Sequence, residues 1–417
     1  MLTDSLCFYF PYHEDSGVPV LFYRLANFIA NNNPGIKVYL IDYENGAMAR
    51  NMAQLNNLKL ISYKIGHNPS IPNNCMLIMQ SFIPYYWPKD LKISPNQKIL
   101  FWNLHPLNFY PSLLPFPLLR ELLKNNFWIY KLISNIYKPL FIQLRKYVDL
   151  LLENESLVFM DETNLKSTSK YLFLNINNQK YLPVPVVKKQ SVVISKKPFL
   201  VDGIINIGWI GRLCDFKSHI LIYTINKLSE ISCMFKNKKF VYHIVGEGPY
   251  LNYIKKSIKL SNNVSINYQG SIPHDKLDGF IEKNLDILTA MGTSALEGAK
   301  LGKPTILLDF IYKKVKKDYK YRMLYDTENF DLGHLIGESD YEPNNDTLFK
   351  TINDIIENYN HHSNMSFDYF KSNHSIEVIS ELLLEKVRNS KLTFSMIDPS
   401  VLKKGFILRA YNKIRKL

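Results

Sequence analysis

Residues 286–309 read DILTAMGTSALEGAKLGKPTILLD. An apolar run over 286–291 is followed by a Gly-Thr-Ser turn, a helical segment over 294–301 and a second apolar run over 304–309. Strand, helix and strand in this order predict a βαβ unit, in which the two strands are parallel. The turn before the helix leaves backbone N–H groups free, which makes it a candidate site for an anion.

The same alternation of strands and helices extends through both halves of the chain. It predicts the α/β class, with two Rossmann-like domains that face a central cleft, and ligands that bind beyond the carboxyl ends of the strands. The other predicted strands are 6–11, 36–42, 58–62, 75–79, 98–102, 157–160, 203–210, 240–245 and 264–269. The other predicted helices are 18–30, one that ends near Glu230, 250–259 and 274–283.

A stretch rich in proline and lysine, VPVVKKQSVVISKKPFL, has no helical period and separates the two halves. We therefore expect two Rossmann-like domains joined by a linker, then C-terminal helices that pack back toward the first domain, and a basic amphipathic tail. The predicted boundaries are, in that chain order, 1–185 for the first domain, 186–202 for the linker, 203–365 for the second domain, 366–400 for the helices and 401–417 for the tail.

The composition is that of a folded protein, with 46% hydrophobic and 21% charged residues among 417. Four scattered cysteines without a Cys-x-x-Cys spacing argue against a disulfide framework or a zinc site and favour a reducing cytoplasm. The chain start lacks the basic lead of a signal peptide, and no apolar stretch has transmembrane length. We therefore expect a cytoplasmic protein that is soluble or attached to a membrane surface.

The formal charge of +14 admits three kinds of partner, namely nucleic acid, anionic lipid or phosphorylated small molecules. The tail 401–417 carries six basic residues and no acid among apolar ones, which favours an anionic membrane surface. The stretch 113–152, predicted as a long helical stretch, is also basic and aromatic, and either a membrane face or an ordinary core face fits it. No nucleic-acid-binding motif is visible, so we expect no nucleic-acid partner.

The segment GWIGRLCDFKSH (208–219) is the first candidate for chemistry. A strand ends at Gly211, and Arg212 and Lys217 then flank the start of a helix. A guanidinium, an ammonium and a helix N-terminus together suit the negative charge of a departing diphosphate. Two ordinary basic residues in a solvent-facing turn fit the same spacing.

Two glycine-containing turns after strands are further candidates. In Val-Gly-Glu-Gly-Pro, Gly246 makes a tight turn that admits a ligand, although a mere turn explains it as well. In the Gly-Thr-Ser turn, backbone groups of Gly292, Thr293 and Ser294 suit an anion, and Glu297 suits the two hydroxyls of a ribose. The alternative for Glu297 is a capping box, in which its carboxylate accepts the backbone N–H of Ser294.

Candidates in the first half are fewer. Gly17 follows the first strand, where glycine lets a phosphate or sugar pass close to the backbone. His105 stands beyond the strand 98–102, where it suits a hydrogen bond to a sugar or a proton transfer, with a structural loop histidine as the alternative. Asp161 and Glu162, after the strand 157–160, suit contacts to an acceptor, although Asp161 fits a helix N-cap better.

The chain contains no Asp-x-Asp sequence, the pair with which many sugar-nucleotide enzymes hold a divalent ion. Without a metal, the phosphate charge is left to Arg212, Lys217 and the helix dipoles. We therefore expect a site that needs no metal and no cofactor.

The motifs also occur in a characteristic order. Gly-Arg-Leu with Lys217, Val-Gly-Glu-Gly-Pro, Gln-Gly-Ser-Ile-Pro (269–273) and Gly-Thr-Ser-Ala-Leu-Glu-Gly-Ala-Lys-Leu-Gly-Lys-Pro (292–304) resemble the donor half of retaining GT-B glycosyltransferases. More narrowly, they resemble family 4, also called group 1. The resemblance covers residues 203–310 well, and in the first half it rests on Gly17 and His105.

This resemblance implies a nucleotide-diphosphate sugar as donor, seated mainly on the second domain. Arg212 and Lys217 then contact the diphosphate, and Glu297 holds the ribose. Backbone groups of the turn 292–294 lie along the phosphates or the sugar. A basic, aromatic surface on the first domain is also similar to that of family members whose acceptors are lipid-linked.

In the first domain the resemblance implies that Gly17 faces the phosphates and that His105 reaches the donor sugar. It also implies retention of the anomeric configuration by same-face attack, with the leaving phosphate as the proton acceptor.

One position departs from the family. Many members carry two glutamates separated by seven residues, and the position eight before Glu297 is Thr289 in this chain. Either the first glutamate is missing or the loop that bears it is shortened.

Taken together, these patterns lead us to expect a retaining, metal-independent hexosyltransferase with a lipid-linked or other saccharide acceptor. Its expected place is the assembly of a bacterial surface polysaccharide, capsule or lipopolysaccharide, at the inner face of the cytoplasmic membrane. Two alternatives remain. One is a sugar-nucleotide epimerase of the same fold, and the other is a non-catalytic, nucleotide-binding and membrane-docked partner of a transferase complex.

Overall fold

The chain divides into two compact units, each with its own sheet and hydrophobic core. One unit comprises the described residues of Met1–Pro183 and Ile379–Leu417, and the other those of Val184–Val378. Residues 188–202 of the predicted linker and 404–417 of the predicted tail lie outside the described residues. The computed structural model describes residues 5–111, 113, 126–177, 181–187, 203–315, 318–337 and 345–403.

The first unit alternates strands with helices. In chain order it contains β1 Ser5–Tyr9, α1 Gly17–Asn32, β2 Lys37–Tyr43, α2 Ala47–Asn51, β3 Leu58–Tyr63, β4 Met76–Gln80, β5 Lys98–Asn103, α3 Phe127–Ile136, α4 Lys138–Glu153, β6 Leu157–Phe159 and α5 Glu162–Leu172. The strands pair in parallel in the order β3-β2-β1-β4-β5-β6. The apolar runs of β1, β4 and β5 are buried nearly throughout, as expected for a parallel sheet covered on both faces.

The second unit repeats this alternation. It contains β7 Ile204–Ile210, α6 Asp215–Ile231, β8 Lys239–Val245, α7 Leu251–Ser257, β9 Val264–Gly270, α8 His274–Asn284, β10 Ile287–Ala290, α9 Thr293–Ala299, β11 Thr305–Leu307, β12 Arg322–Met323, α10 Leu348–Glu357 and α11 Tyr359–Asn373. A further helix, α12 Ile376–Asn389, leads from the second unit into the first. The strands are ordered β12-β11-β10-β7-β8-β9, and only β12 runs antiparallel within the described sheet.

Both sheets therefore have the strand order of a Rossmann-like fold, in which the third, second and first strands are followed by the fourth, fifth and sixth. The predicted α/β class with two Rossmann-like units is confirmed. In each unit the order in which successive strands are added to the sheet reverses once. The reversal lies between β1 and β4 in the first unit and between β7 and β10 in the second. Ligands of open α/β sheets bind beyond the carboxyl ends of the strands at this reversal.

The helix α1 illustrates how the sequence pattern positions these edges. Leu21, Phe22, Leu25 and Ile29 recur at the three- and four-residue spacing of one helix face, and all four are buried. The ring of Phe22 lies 5.4 Å from that of Phe8 in β1. Each such side chain stabilises the fold by about 1.5–3 kcal/mol through burial, which fixes the start of α1 beyond the end of β1.

The stretch 113–152, predicted as a long helical stretch, is helical over 127–152 except at one residue. Its described part forms α3 and α4, which Tyr137 separates, while residues 112 and 114–125 lie outside the described residues. Pro139 lies in the first turn of α4, where its missing N–H has no helical partner to lose, whereas within a continuous helix it would break a hydrogen bond. No helix in the described part of the chain has both the length and the apolar character to span a bilayer.

Candidate functional site

Two predicted motifs meet at the carboxyl edge of the second sheet. The strands β7 and β10 pair in parallel, with Trp209 opposite Thr289, so both end at the same edge. Gly211 follows β7 and Gly292 follows β10. The segment with Arg212 and Lys217 and the Gly-Thr-Ser turn therefore flank the point where the strand order reverses, which is where α/β proteins bind ligands.

Arg212 and Lys217 place two positive charges beyond the end of β7. Arg212 is exposed, and Lys217 is half-buried in the first turn of α6, with its Nζ 3.7 Å from the position that a Cβ would take on Gly211. Burial lowers the pKa of Lys217, Cys214 opposes this effect, and the charge of Arg212 lowers the pKa further. Neither cation has an acidic partner among the described residues, so the charges of both are available to an anion.

Close packing of the backbone explains the glycines beside these cations. Gly211, Gly246 and Gly248 have φ values of 157°, 136° and 155°, in the region that favours glycine. A Cβ on Gly246 would collide with the carbonyl oxygen of Gly211, and one on Gly248 with that of Leu213. The close approach predicted at Gly246 is thus made by the chain's own backbone, so the structure explains this glycine without a ligand.

The Gly-Thr-Ser turn presents fewer free groups than the sequence suggests. Gly292 has φ 63° and ψ −153°, a conformation open essentially to glycine alone, and its N–H donates to the carbonyl oxygen of Leu332 at 2.6 Å. Thr293 is exposed and Ser294 is half-buried. The N–H groups of these two residues donate to no other group within the described ranges, so they are the groups that this turn can offer.

Glu297 lies on α9 with its side chain almost fully buried. The capping box is absent, because Gly292 is the N-cap and no side chain caps the helix. The Oε2 atom lies 2.5 Å from Nζ of Lys300, and Oε1 lies 3.7 Å from Nε2 of His274. Burial acts to raise the pKa of Glu297, but the hydrogen bond of His274 and the charge of Lys300 outweigh it and hold the pKa below its usual value. Glu297 is therefore an anion that can accept a hydrogen bond from a hydroxyl group.

Thr289 lies eight positions before Glu297. It is buried in β10, and its hydroxyl donates to the carbonyl oxygen of Gly208 at 2.9 Å. A second hydrogen bond joins it to the hydroxyl of Tyr242 at 2.5 Å. Position 289 thus contributes to the interior of the sheet and brings no carboxylate to its edge.

In the first unit, Gly17 and His105 follow two strands of the sheet at its carboxyl edge. Gly17 begins α1, and a Cβ there would meet no atom within 4 Å, so packing does not require glycine. His105 is exposed, and its Nδ1 accepts the N–H of Leu107 at 3.0 Å, which leaves Nε2 as the protonated nitrogen of the neutral ring. Their contribution to a donor site stays a prediction.

The acidic residues after β6 have local structural roles. Asp161 caps α5, as predicted, because its Oδ1 accepts the N–H of Asn164 at 2.8 Å. Glu162 pairs with Lys166 at 3.0 Å, one turn further along the helix. These contacts explain both residues without an acceptor.

Sequence reasoning missed a buried charged cluster at the end of β11. Arg322 donates to both oxygens of Asp309 at 2.8 Å and to Asp331 at 3.0 Å. Asp309, Asp331 and His334 are close enough together to hold a metal ion, but the guanidinium of Arg322 already supplies a cation there. The carbonyl oxygen of Leu332, which lies between Asp331 and His334 in the chain, accepts the N–H of Gly292. The charged cluster therefore helps to hold the Gly-Thr-Ser turn in place. In the sequence, the three-residue spacing of Asp331 and His334 was the one local feature that could have indicated this cluster.

Among the comparisons with known proteins, the one with solved structures finds similar folds. The chain matches no protein-family model, and no curated protein matches it. A lipopolysaccharide outer core galactosyltransferase, WaaB, superimposes with a TM-score of 0.50 at 10% identity, over 93% of this chain and 100% of that one. Trehalose-6-phosphate synthase OtsA gives a TM-score of 0.50 at 11% identity, over 92% and 98%.

A third solved structure has the same fold. The N-terminal domain of Candida albicans trehalose-6-phosphate phosphatase gives a TM-score of 0.51 at 12% identity, over 93% of this chain and 97% of that one. At such low identity, these similarities show the fold and leave the activity to be argued from the site.

Proposed function

We propose that this protein is a glycosyltransferase that transfers a sugar from a nucleoside-diphosphate sugar to a saccharide acceptor. The observation that carries the proposal is the pair of cations Arg212 and Lys217, which lack acidic partners among the described residues, at the edge that also holds Glu297. A diphosphate needs such charges, and a ribose needs a hydrogen-bond acceptor such as Glu297. The fold shared with a galactosyltransferase supports this assignment.

The transfer retains the anomeric configuration. The bond from sugar C1 to the diphosphate breaks while the acceptor oxygen bonds to C1 on the same face, and the acceptor proton passes to the departing phosphate oxygen. Arg212 and Lys217 stabilise the charge that develops on this leaving group. No covalent nucleophile is needed, and Thr289 supplies none. The family resemblance, rather than geometry, assigns Gly17 to the phosphates and His105 to the donor sugar.

The reaction needs no metal or cofactor. Arg212 and Lys217 supply the charge that a divalent ion would otherwise supply to the diphosphate. The buried group of Asp309, Asp331 and His334 is paired with Arg322, which removes the reason for an ion there. We therefore expect transfer to persist in the presence of a chelator.

The acceptor is a lipid-linked saccharide of a bacterial surface polysaccharide, reached from an anionic membrane surface on the cytoplasmic side. Support comes from α3, where Trp128, Leu132 and Ile136 recur every fourth residue and are 80%, 66% and 74% exposed. Lys131 lies beside Trp128, with Nζ 6.0 Å from the ring centre, and α3 contains no acid. An exposed aromatic and aliphatic stripe with a basic flank suits anionic lipid.

Removal of each cation tests the site. Arg212→Ala and Lys217→Ala should each lower sugar transfer and donor hydrolysis by about 100- to 1,000-fold, the usual effect of losing one group that stabilises transition-state charge. The melting temperature should stay within about 2 °C of wild type, because neither residue has an acidic partner among the described residues. Lys239→Ala, at the opposite end of the same sheet, is the matched control and should leave turnover unchanged.

Other outcomes separate the alternatives. Near-normal turnover in both variants would eliminate the diphosphate site, and strict dependence on a divalent ion would contradict the metal-free mechanism. An epimerase would change the donor sugar without an acceptor. A non-catalytic partner would bind nucleotide, as seen by a thermal shift, without turnover of any donor.

A further inference from the structure

The two carboxylate oxygens of Glu297 have different surroundings. Oε2 is shielded from solvent and lies 2.5 Å from Nζ of Lys300. Oε1 faces the exposed imidazole of His274, with Nε2 3.7 Å away. Only one end of this carboxylate is therefore directed toward groups that a ligand can reach.

Lys300 is fixed on its other side by Asp278, which belongs to α8. The distance from Nζ of Lys300 to Oδ1 of Asp278 is 2.8 Å, and the lysine side chain is only 1% exposed. If this buried ammonium lost its contact with one carboxylate, no water could replace that contact, and such a loss is strongly unfavourable. Lys300 therefore stays on Oε2 of Glu297 when a ligand binds.

We propose that Glu297 recognises the donor ribose through Oε1 alone, so that only one of the 2′- and 3′-hydroxyls is needed for binding. This inference rests on the proposed function. A carboxylate with two accessible oxygens can accept one hydroxyl on each, whereas Lys300 already occupies one oxygen of Glu297. The substrate class then includes nucleoside-diphosphate sugars that lack one of the two ribose hydroxyls.

Binding of nucleotides to the full chain tests the inference. The diphosphates of uridine, guanosine, adenosine and cytidine are titrated first, and the 2′-deoxy and 3′-deoxy forms of the tightest binder follow. One deletion should change Kd by less than about 3-fold, and the other should weaken binding by about 10- to 100-fold, as expected for loss of a hydrogen bond to a charged group. The inference is overturned if both deletions weaken binding about 10-fold or more, or if neither does.

Variants of the buried lysine give a second test. Lys300→Met frees Oε2, so both hydroxyl deletions should then weaken binding about 10-fold or more. Lys303→Met is the matched control. Lys303 also follows α9 and is buried, but it donates to the carbonyl oxygens of Glu282 and Leu285. It should keep the unequal response of wild type. The double variant Lys300→Met/Asp278→Asn serves the same purpose if the single variant does not fold, and an unequal response in the folded variant overturns the inference.

The experiment also separates this inference from the proposed function. Tight binding of a diphosphate with equal responses to the two deletions overturns the role of Lys300 and leaves the transferase assignment intact. Failure of wild type to bind any of the four diphosphates removes the proposed function, and the ribose inference with it.

Discussion

Lys217 holds a half-buried ammonium with no carboxylate partner among the described residues. Burial has already lowered its pKa, and the neighbouring Arg212 lowers it further, although Cys214 opposes the change. The lysine therefore loses its proton at a lower pH than a solvent-exposed lysine does. A bound diphosphate favours the charged form and raises the pKa again, so the anion and the proton bind together at alkaline pH.

The pH dependence of nucleotide binding follows from this coupling. We expect the Kd of a nucleoside diphosphate to rise with pH above the pKa of Lys217, by up to about 10-fold for each pH unit. Lys217→Arg keeps its charge throughout this range, so its Kd should stay level over the same interval. Isothermal titration at several pH values measures both proteins. Parallel profiles for the two would show that Lys217 does not contact the anion.

Glu297 shows where residue-scale prediction from sequence stops. The spacing from Ser294 to Glu297 fits a capping box, yet α9 begins at Gly292, and Lys300 takes the carboxylate instead. The spacing of Glu297 and Lys300, three residues apart on one helix, was visible in the sequence. The contribution of Asp278 was not, because it comes from another helix and depends on tertiary packing.

At the scale of elements, α3 is unusual because its outward face is apolar. Trp128, Leu132 and Ile136 form one stripe along it, while Tyr130 on the inner face is buried against the core of the first unit. The sequence predicted a basic, aromatic helical stretch but left open whether its apolar face was core or surface. In the described part both occur, because α4 buries Phe141 and Leu144 in the core whereas α3 leaves its stripe exposed.

Vesicle binding tests this face. Replacement of Trp128, Leu132 and Ile136 by serine should weaken binding to phosphatidylglycerol vesicles by about 100-fold or more, because each side chain loses about 1.5–3 kcal/mol of burial in lipid. Ile65→Ser is the matched control, since Ile65 is 66% exposed on another part of the first unit. Flotation with the full chain measures both. Unchanged binding of the triple variant would exclude α3 as the membrane surface.

At the scale of the whole molecule, local patterns predicted most of the strands, since each is a short apolar run bounded by turn residues. Their order in the sheets depends on pairing between distant segments, as when β10 inserts beside β7. The strand β12 escaped prediction because it is two residues long and contains the charged Arg322, which becomes favourable in the interior only through Asp309 and Asp331.

A buried histidine closes the second unit by joining its first segment to its last. Nδ1 of His374 donates to the carbonyl oxygen of Val184 at 2.9 Å, and the N–H of Val186 donates to the carbonyl oxygen of His374 at 2.8 Å. Burial lowers the pKa of His374 to about 4, although the bond to Val184 acts to raise it. Its Nε2 is buried without a partner in the described part of the chain, so protonation would add an unsatisfied N–H.

The stability of the fold should therefore depend on His374 in mildly acidic solution. Between the folded pKa of about 4 and the unfolded value near 6.5, the unfolded chain binds more protons, so stability is lost as pH falls through this window. The loss from this residue amounts to about 3 kcal/mol. His374→Asn keeps an N–H for Val184 but does not titrate, so the difference between variant and wild type in urea unfolding should narrow or reverse from pH 7 to pH 4. Because all other titrating groups are common to both proteins, a difference that does not change with pH would show that His374 is not held neutral by the fold.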